Sequence, residues 1–245
     1  MLKKIESLAR AYSISYIEVT SALRKAVEQT VCKNNNQELD TFIEDDKLFF
    51  KLRTYCKKDI SMGTSGGADA IEEIIDITHA PDVYEEILII FNQELEKISL
   101  QNQYLAVVNA MKKNDSRIVE CTITSVTKHG LFLSTRFGTA FCLNKHLTKY
   151  EREKNIYKKD RVIRCHLLSA KIKANKLHIN VSRTHLNLTK FYINGIFSDN
   201  SLIYSVKRKP GAYIKMIIDR KPTPNLINKL KYYFGNEKII YEVRT

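Results

Sequence analysis

Apolar residues recur at two different spacings along the chain, and the changes of spacing divide it into segments. In residues 1–32 they recur every three or four positions, as on the buried face of an amphipathic helix, with a break at "SIS". This pattern predicts two helices in a hairpin. The run "ELDTFIEDDKLFFKLRTYCKK" is rich in β-branched and aromatic residues on both sides of Asp45 and Asp46, which predicts two strands joined by a turn.

A loop, a strand and a long helix are predicted next. The Gly- and Ser-rich stretch "DISMGTSGGADA" predicts a loop, and "AIEEIIDIT" predicts a further short strand. From about Pro81 to Lys113 the helical spacing returns, with Pro81 at a position suited to the first turn of a helix. The sequence therefore predicts a long helix that separates an earlier part of the chain from a later one.

Short strands dominate the later part. The runs "RIVECTITSVTKHGLFLSTRFGTAFCLNKHL" and "DRVIRCHLLSAKIKANKLHINVSRTH" contain about five β-branched segments, broken at Gly130, Gly138 and Asn175. Five such strands in roughly 70 residues predict a small closed barrel. After it, "IYSVKRKPGAYIKMIID", "TPNLINKLKYYFG" and "NEKIIYEVR" predict a hairpin, a helix that begins near Pro224, and a final strand.

Charge divides the chain in the same way. Residues 1–117 carry 15 Lys and Arg against 19 Asp and Glu, a net charge of −4, whereas residues 118–245 carry 25 against 8, a net charge of +17. A basic surplus of this size attracts nucleic acid, because neutralising the phosphates releases condensed counterions. Charge alone leaves open that the second half has a basic surface without a ligand.

Several classes of protein are disfavoured by what the sequence lacks. It contains no run of about 18 apolar residues, and its first residues are amphipathic rather than typical of a signal peptide, which predicts a cytoplasmic protein without a membrane span. The five cysteines form no Cys-x-x-Cys pair, and no two histidines have metal-ligand spacing. We therefore expect reduced cysteines that serve packing, and neither a metal nor a cofactor.

The barrel segment resembles a known fold. The run "VTKHGLFL…GTAFCL…KHL…YKKDRVIRCHLL…KLHINVSR" resembles the S-one type of OB barrel, with Lys159 in place of the glycine that usually precedes the aspartate. The residues at matching places are Phe132, Phe141, Asp160, Val162, Ile179, Ser182 and Arg183. The resemblance implies a barrel that binds single-stranded RNA.

The segment after the barrel narrows the resemblance. "VSRTHLNLTKFYINGIF" followed by "IYSVKRKPGAYIKMII" resembles the NusA family of bacterial transcription factors, in which an Arg-x-Pro-Gly-x-x-x-Lys hairpin follows the barrel. The matching residues here are Arg208, Pro210, Gly211 and Lys215. Members of that family continue into two KH domains that clamp the RNA backbone with Gly-x-x-Gly loops. This chain has no such loop after the hairpin and contains one degenerate unit.

The resemblance implies an α+β multidomain fold. Residues 1–113 correspond to a helical and β N-terminal domain with its long connecting helix, and residues 114–185 to a five-stranded OB barrel of the S-one type. Residues 186–245 correspond to a degenerate, truncated α/β KH-like unit.

The resemblance also implies a function. The protein is expected to be a non-enzymatic transcription elongation, termination and antitermination factor, monomeric and able to contact other Nus-type factors. Residues 1–113 would bind core RNA polymerase near its RNA exit channel, and the barrel would bind nascent single-stranded RNA. The acidic residues near the predicted sheet suit protein contact, although an acidic solvated face is the alternative: Glu38, Asp40, Glu44, Asp45 and Asp46.

The expected RNA contacts follow from how OB barrels bind single strands, which is by stacking bases on aromatic rings while cations follow the phosphates. The candidates in the barrel are Lys128, His129, Phe132, Arg136, Phe141, His178 and Arg183. The alternatives are that Phe132 and Phe141 belong to the core, that His129 is an ordinary surface residue, and that Arg183 caps the last strand.

The basic hairpin tip is a second candidate contact. Pro210 and Gly211 suit the two central positions of a type II turn, which would hold Lys207, Arg208 and Lys209 close together beside a phosphate chain. A solvated bend between two strands is the simpler alternative.

Two other functions remain open, an RNA-processing subunit and a ribosome-associated S-one-domain RNA-binding protein. Metal-assisted cleavage of RNA needs carboxylates gathered at one site, whereas the eight carboxylates of residues 118–245 are scattered and include no Asp-x-Asp.

Overall fold

The computed structural model describes residues 2–32, 37–44, 47–55, 70–75, 81–113, 117–197, 203–235 and 237–244. They form an α+β protein, as predicted, with two compact units, Met1–Asn102 and Gln103–Thr245. The predicted turn at Asp45 and Asp46, most of the predicted Gly-rich loop, and Cys56 lie outside the described residues. Within the described ranges, no helix combines the length and the apolar character that crossing a membrane requires.

The first unit begins with the predicted helical hairpin, α1 (Leu2–Tyr12) and α2 (Tyr16–Val31). A capping box fixes the start of α2, because the Ser15 hydroxyl accepts from the Glu18 backbone N–H at 3.2 Å and the Glu18 carboxylate accepts from the Ser15 N–H at 2.7 Å. The following strands form an antiparallel sheet in the order β1 (Gln37–Glu44), β2 (Lys47–Tyr55) and β3 (Ala70–Ile75).

Helix α3 (Pro81–Lys112) confirms the long helix predicted from residue 81 onward. Its first half supplies Ile87, Phe91 and Leu95 to the core of the first unit, where they pack with the buried face of α2. That face consists of Val19, Ala22, Leu23, Ala26 and Val27. The apolar spacing of both helices is therefore explained by burial.

The second unit contains a closed five-stranded barrel, as the strand spacing predicted. Its strands are β4 (Ile118–Thr127), β5 (Gly130–Thr135), β6 (Gly138–Leu143), β7 (Val162–Lys173) and β8 (Lys176–Ser182), and helix α4 (Lys149–Glu153) lies between β6 and β7. The order around the barrel is β4-β5-β6-β8-β7, with β6 and β8 parallel and the other described pairs antiparallel.

Alternate residues of each strand fill the barrel, among them Leu131, Leu133 and Ile179. The last turns of α3 add Val107 and Ala110 to the same core. Gly130 is required where β5 approaches β6, because a Cβ atom there would lie 2.1 Å from the backbone oxygen of Cys142.

The described cysteines confirm the expectation of free thiols. Cys121, Cys142 and Cys165 are buried and unpaired, and Cys32 is partly buried. Burial raises the pKa of Cys142 to about 12, which keeps the thiol protonated and therefore unreactive.

The remainder of the second unit is α5 (Leu186–Ile196), β9 (Ile203–Lys209), β10 (Tyr213–Ile218), α6 (Pro224–Phe234) and β11 (Lys238–Val243). This confirms the predicted hairpin, helix and final strand, with Pro224 in the first turn of α6 behind its N-cap, Thr223. The sheet order is β11-β10-β9; β10 is antiparallel to β9 and parallel to β11. Residues of α5 and α6 cover one face of the sheet, and the side chains that alternate with this core lie on the other.

Candidate nucleic-acid interface

Phe132 and Phe141 form an aromatic pair on the outside of the barrel. They are directly opposite each other on β5 and β6, with ring centroids 4.8 Å apart and ring planes at 50°. The neighbours Leu131 and Leu133 point into the barrel, whereas Phe132 is 41% exposed. Phe132 is therefore not a core residue, and its ring is accessible to a flat ligand.

Polar residues extend this pair into a row across all five strands. In the strand register Ser125 lies opposite Phe132, and Asn180 lies opposite both Phe141 and Ser169. The Asn180 amide donates to the Ser169 hydroxyl at 3.1 Å, which holds the two side chains on one surface. We call Ser125, Phe132, Phe141, Asn180 and Ser169 the aromatic row. The polar members of the row were not among the candidates predicted from the sequence. Asn180 could have been found there, because it is two residues from His178 on the same strand and side chains two residues apart lie on one face.

Lys128 and His129 form the turn between β4 and β5, at one end of this surface. Asn144 braces the turn from the far end of β6, because its amide donates to the Lys128 carbonyl at 2.7 Å and its N–H to the His129 carbonyl at 3.0 Å. Both turn side chains are exposed. These hydrogen bonds fix the backbone of the turn, whereas the Lys128 side chain is exposed and can contact a phosphate.

Arg136 and His178 lie at other edges of the same surface. Arg136 is exposed in the β5–β6 turn, and its guanidinium lies 4.7 Å from the Phe137 ring centroid. It follows Phe132 by four residues, which corresponds to about 13 Å along an extended chain. His178 is exposed on β8 and lies opposite the exposed Lys171 of β7. Cations therefore border the aromatic row on several sides, an arrangement that suits a single-stranded nucleic acid.

Arg183 is turned away from this surface. Its side chain is only 11% exposed and forms an ion pair with Glu151 of α4. It also donates to the Arg164 carbonyl at 2.9 Å and to the Tyr192 hydroxyl of α5 at 3.0 Å. The predicted RNA contact does not fit this placement, because the charge is already paired inside the protein; the alternative, a structural role at the end of the last strand, does.

The surroundings of Glu151 keep this ion pair charged. Burial alone would raise the pKa of Glu151, but the nearby Arg183 charge and hydrogen bonds from Arg183, Tyr157 and Thr148 lower it overall. Burial and the same carboxylate raise the pKa of Tyr157, so its hydroxyl stays protonated and donates to Glu151. The network joins α4 and α5 to strand β7 and to the residue that follows β8.

The basic hairpin has the predicted turn but not the predicted cluster of three cations. The Ala212 N–H donates to the Lys209 carbonyl at 3.0 Å and Gly211 has φ +76°, as expected at the third position of a type II turn. Strand alternation directs Arg208 towards the helices, on the same face as Val206, while Lys207 and Lys209 are exposed. The predicted contact by all three cations is therefore limited to the two lysines.

Arg208 instead forms a buried ion pair. Its guanidinium donates to both carboxylate oxygens of Glu237, at 2.8 and 2.6 Å, and the two side chains are 4% and 3% exposed. It also donates to the Thr189 hydroxyl at 3.0 Å, while the Gly211 N–H donates to Glu237 at 3.0 Å. The arginine of the hairpin motif thus ties the turn to α5 and to the segment before β11.

Ion pairs neutralise five of the seven carboxylates that the structure describes in residues 118–245. The pairs are Glu120 with Arg164, Glu151 with Arg183, Glu153 with Lys149, Glu237 with Arg208, and Glu242 with Lys215. Exposed lysines such as Lys128, Lys171, Lys207 and Lys209 then determine the outward potential, which is positive.

The second unit therefore presents two basic surfaces, the barrel wall around the aromatic row and the sheet face that carries Lys207 and Lys209. The first combines accessible rings with cations, and the second offers cations beside Tyr213, which is 38% exposed.

Neither the models of known protein families nor the curated protein sequences include a match to this chain.

Proposed function

We propose that this protein is a transcription elongation, termination and antitermination factor of the NusA type, which binds RNA polymerase and nascent RNA. The order of elements supports the proposal: a helical hairpin, a small sheet and a long helix come first, and a barrel and an α/β unit follow. The acidic first half would bind the polymerase, near the RNA exit channel, and the basic second half the RNA.

Within this proposal the barrel is an OB barrel of the S-one type and residues 186–245 are a degenerate KH-like unit. The five-stranded closure supports the first assignment. The second rests on the α5-β9-β10-α6-β11 order, in which a single helix connects β10 to β11 without a Gly-x-x-Gly sequence. Because that loop is what clamps the RNA backbone in KH domains, the barrel would provide most of the RNA contact.

The observation that carries the proposal is the Phe132–Phe141 pair. Two rings 4.8 Å apart, one of them 41% exposed, lie on the surface of a strongly basic unit instead of in its core. Stacking a base on such a ring contributes roughly 1–3 kcal/mol and tolerates any base sequence, since every base has a π face. Such a surface suits an RNA whose sequence changes as transcription proceeds.

Tethering to the polymerase would compensate for a modest intrinsic affinity. A binding surface held beside emerging RNA experiences an effective concentration that reaches the millimolar range for short connections. The barrel would therefore act on nascent RNA although the segment after the hairpin contains no Gly-x-x-Gly loop.

Replacing Phe132 by alanine is expected to weaken binding of a single-stranded RNA by about 5- to 150-fold, the range that corresponds to losing one stacked base. Phe141→Ala should have an effect in the same range. Fluorescence anisotropy with a labelled oligouridylate measures both, and the dependence of affinity on salt should keep its slope, because neither change removes a cation.

Phe132→Tyr is the matched control for this test. It retains the ring and should bind within a few fold of the unaltered protein. If Phe132→Ala and Phe141→Ala both bind RNA like the unaltered protein while remaining folded, the aromatic row is not an RNA contact and the proposal loses its main support.

The full chain is expected to co-purify with core RNA polymerase when the two are mixed at micromolar concentration. The first unit offers an apolar surface residue for a sharper test, because Ile17 on α2 is 77% exposed. Ile17→Glu should reduce recovery of the polymerase without changing affinity for RNA, since it alters only the first unit.

Ribosomes provide the control for this experiment. If the chain sediments with ribosomes and is not recovered with polymerase, a ribosome-associated RNA-binding function replaces the proposed one. Degradation of the RNA probe by the purified protein would instead indicate an RNA-processing function.

A further inference from the structure

A groove runs between the barrel wall formed by β4 and β7 and the helices α5 and α6. It encloses about 920 Å³ and is lined by Arg164 of the barrel and by residues of both helices. A smaller hollow of about 360 Å³ adjoins it and shares Arg164, Tyr192, Tyr232 and Tyr233. The rings of the aromatic row belong to β5 and β6, so this groove is a separate surface.

Aromatic rings form a stepped platform in the groove. Tyr192 stacks on Tyr233 with centroids 4.7 Å apart and planes at 30°, and Tyr232 meets Tyr233 edge-on at 5.4 Å. The inner member, Tyr192, is fixed by the hydrogen bond from Arg183. The outer rings remain accessible, with Tyr232 82% exposed and Tyr233 42% exposed. Tyr192 therefore belongs to the buried Arg183–Glu151 network, whereas the outer rings, Tyr232 and Tyr233, have accessible faces.

The charges around the platform favour an anionic ligand. Lys190 of α5 and Lys229 of α6 are exposed on the two helices. The carboxylates that line the smaller hollow, Glu120 and Glu151, are paired with Arg164 and Arg183, so these four charges offset one another. The two lysines therefore leave the groove with a positive charge beside its accessible rings.

We propose that this groove binds a second stretch of single-stranded RNA, with bases stacked on Tyr232 and Phe191 and phosphates beside Lys190 and Lys229. The inference rests on the proposed function as an RNA-binding protein and adds a site that the resemblance did not predict. Unpaired bases can stack on these rings, whereas the bases of a duplex are already stacked on one another. An acidic peptide would pair with the lysines but leave the Tyr232 ring without a partner.

The test uses the full chain and a labelled oligouridylate of about 12 nucleotides, within the site size of such surfaces. Tyr232→Ala is expected to weaken binding about 5- to 10-fold without loss of stability, because its side chain is mostly exposed. Tyr16→Ala, at an exposed tyrosine of the first unit, is the matched control and should bind normally. Changing Lys190 and Lys229 together to Gln should lower the salt slope by about 2.

Photo-crosslinking with 5-iodouridine, followed by mass spectrometry, then locates the contacts. Crosslinks to Tyr232 or Phe191 that disappear with excess unlabelled RNA support the groove site. If Tyr232→Ala binds normally while Phe132→Ala binds weakly, the groove proposal is wrong and the proposed function stands; if the unaltered protein binds no RNA, both fail. Protection of the groove by polyglutamate but not by RNA would assign it to an acidic protein segment and overturn the proposal.

Discussion

Replacing Arg208 by methionine is expected to lower the free energy of unfolding by about 3–5 kcal/mol, the usual effect of removing one partner of a buried ion pair. The change leaves the Glu237 carboxylate, 3% exposed, without its cation. Only the Gly211 N–H would still donate to it among the described contacts. A buried charge in that state is costly, because the desolvation that the pair had offset is no longer compensated.

Hydrogen exchange of the β9–β10 segment measures the effect locally, since it reports the free energy of opening for each segment. Lys209→Gln is the matched control, one residue further along β9 and exposed, and should change stability by no more than about 0.5 kcal/mol. Equal effects of the two changes would show that Arg208 is an ordinary surface cation and would restore it as a candidate RNA contact.

Glu151→Gln is expected to cost a similar amount, about 3–5 kcal/mol, because it leaves the buried Arg183 guanidinium without its counter-charge. The amide retains the shape of the side chain, so the loss reports the charge rather than a cavity. Urea denaturation at neutral pH measures it. Glu153→Gln is the control: its ion pair with Lys149 is exposed, and its loss should cost less than about 1 kcal/mol.

The Glu151–Arg183 ion pair predicts that the free energy of unfolding depends on pH. The pKa of Glu151 in the folded protein lies below the 4.5 of an ordinary glutamate, so on acidification the unfolded chain takes up the proton first. The stabilisation is therefore complete above pH 4.5 and is lost as the pH falls from there through the lowered pKa. Glu151→Gln should lack this part of the acid sensitivity, whereas Glu153→Gln should keep it. An unchanged acid profile in Glu151→Gln would contradict the assignment.

Local pattern was sufficient to predict most of the fold. The helices of the first unit follow from apolar spacing, and the start of α6 follows from Pro224. The type II turn follows from Pro210 and Gly211, because the required backbone angles favour these residues. Each of these features depends on residues close together in the sequence, which is why it can be read without the tertiary structure.

The role of Arg208 depends on a residue far along the chain. Successive side chains of a strand point to opposite faces, so three consecutive cations cannot all contact one phosphate chain from within a strand. That rule predicts that Arg208 lies on the opposite face of the strand from Lys207 and Lys209, but it does not identify the residue that pairs with Arg208. Glu237 follows 29 positions later, after a helix, and only packing brings it to the arginine.

The two surfaces proposed to bind RNA also differ in how far apart their residues lie along the sequence. Phe132 and Phe141 lie on adjacent strands of one hairpin, and the sequence placed both among the candidates. The groove combines Arg164 from the barrel with residues of two later helices, so no single segment contains its pattern. The available signal was "KYYFG" at the end of α6, where Phe234 is buried while Tyr232 and Tyr233 are exposed.

The contribution of α3 to the barrel core affects how this protein can be divided. Val107 and Ala110 fill the interior of a barrel whose first strand begins at Ile118. A recombinant fragment that starts at residue 114 would expose the side chains that these two residues cover, and would invite aggregation. Expression of the second unit by itself should therefore begin at or before residue 103, inside the helix instead of after it.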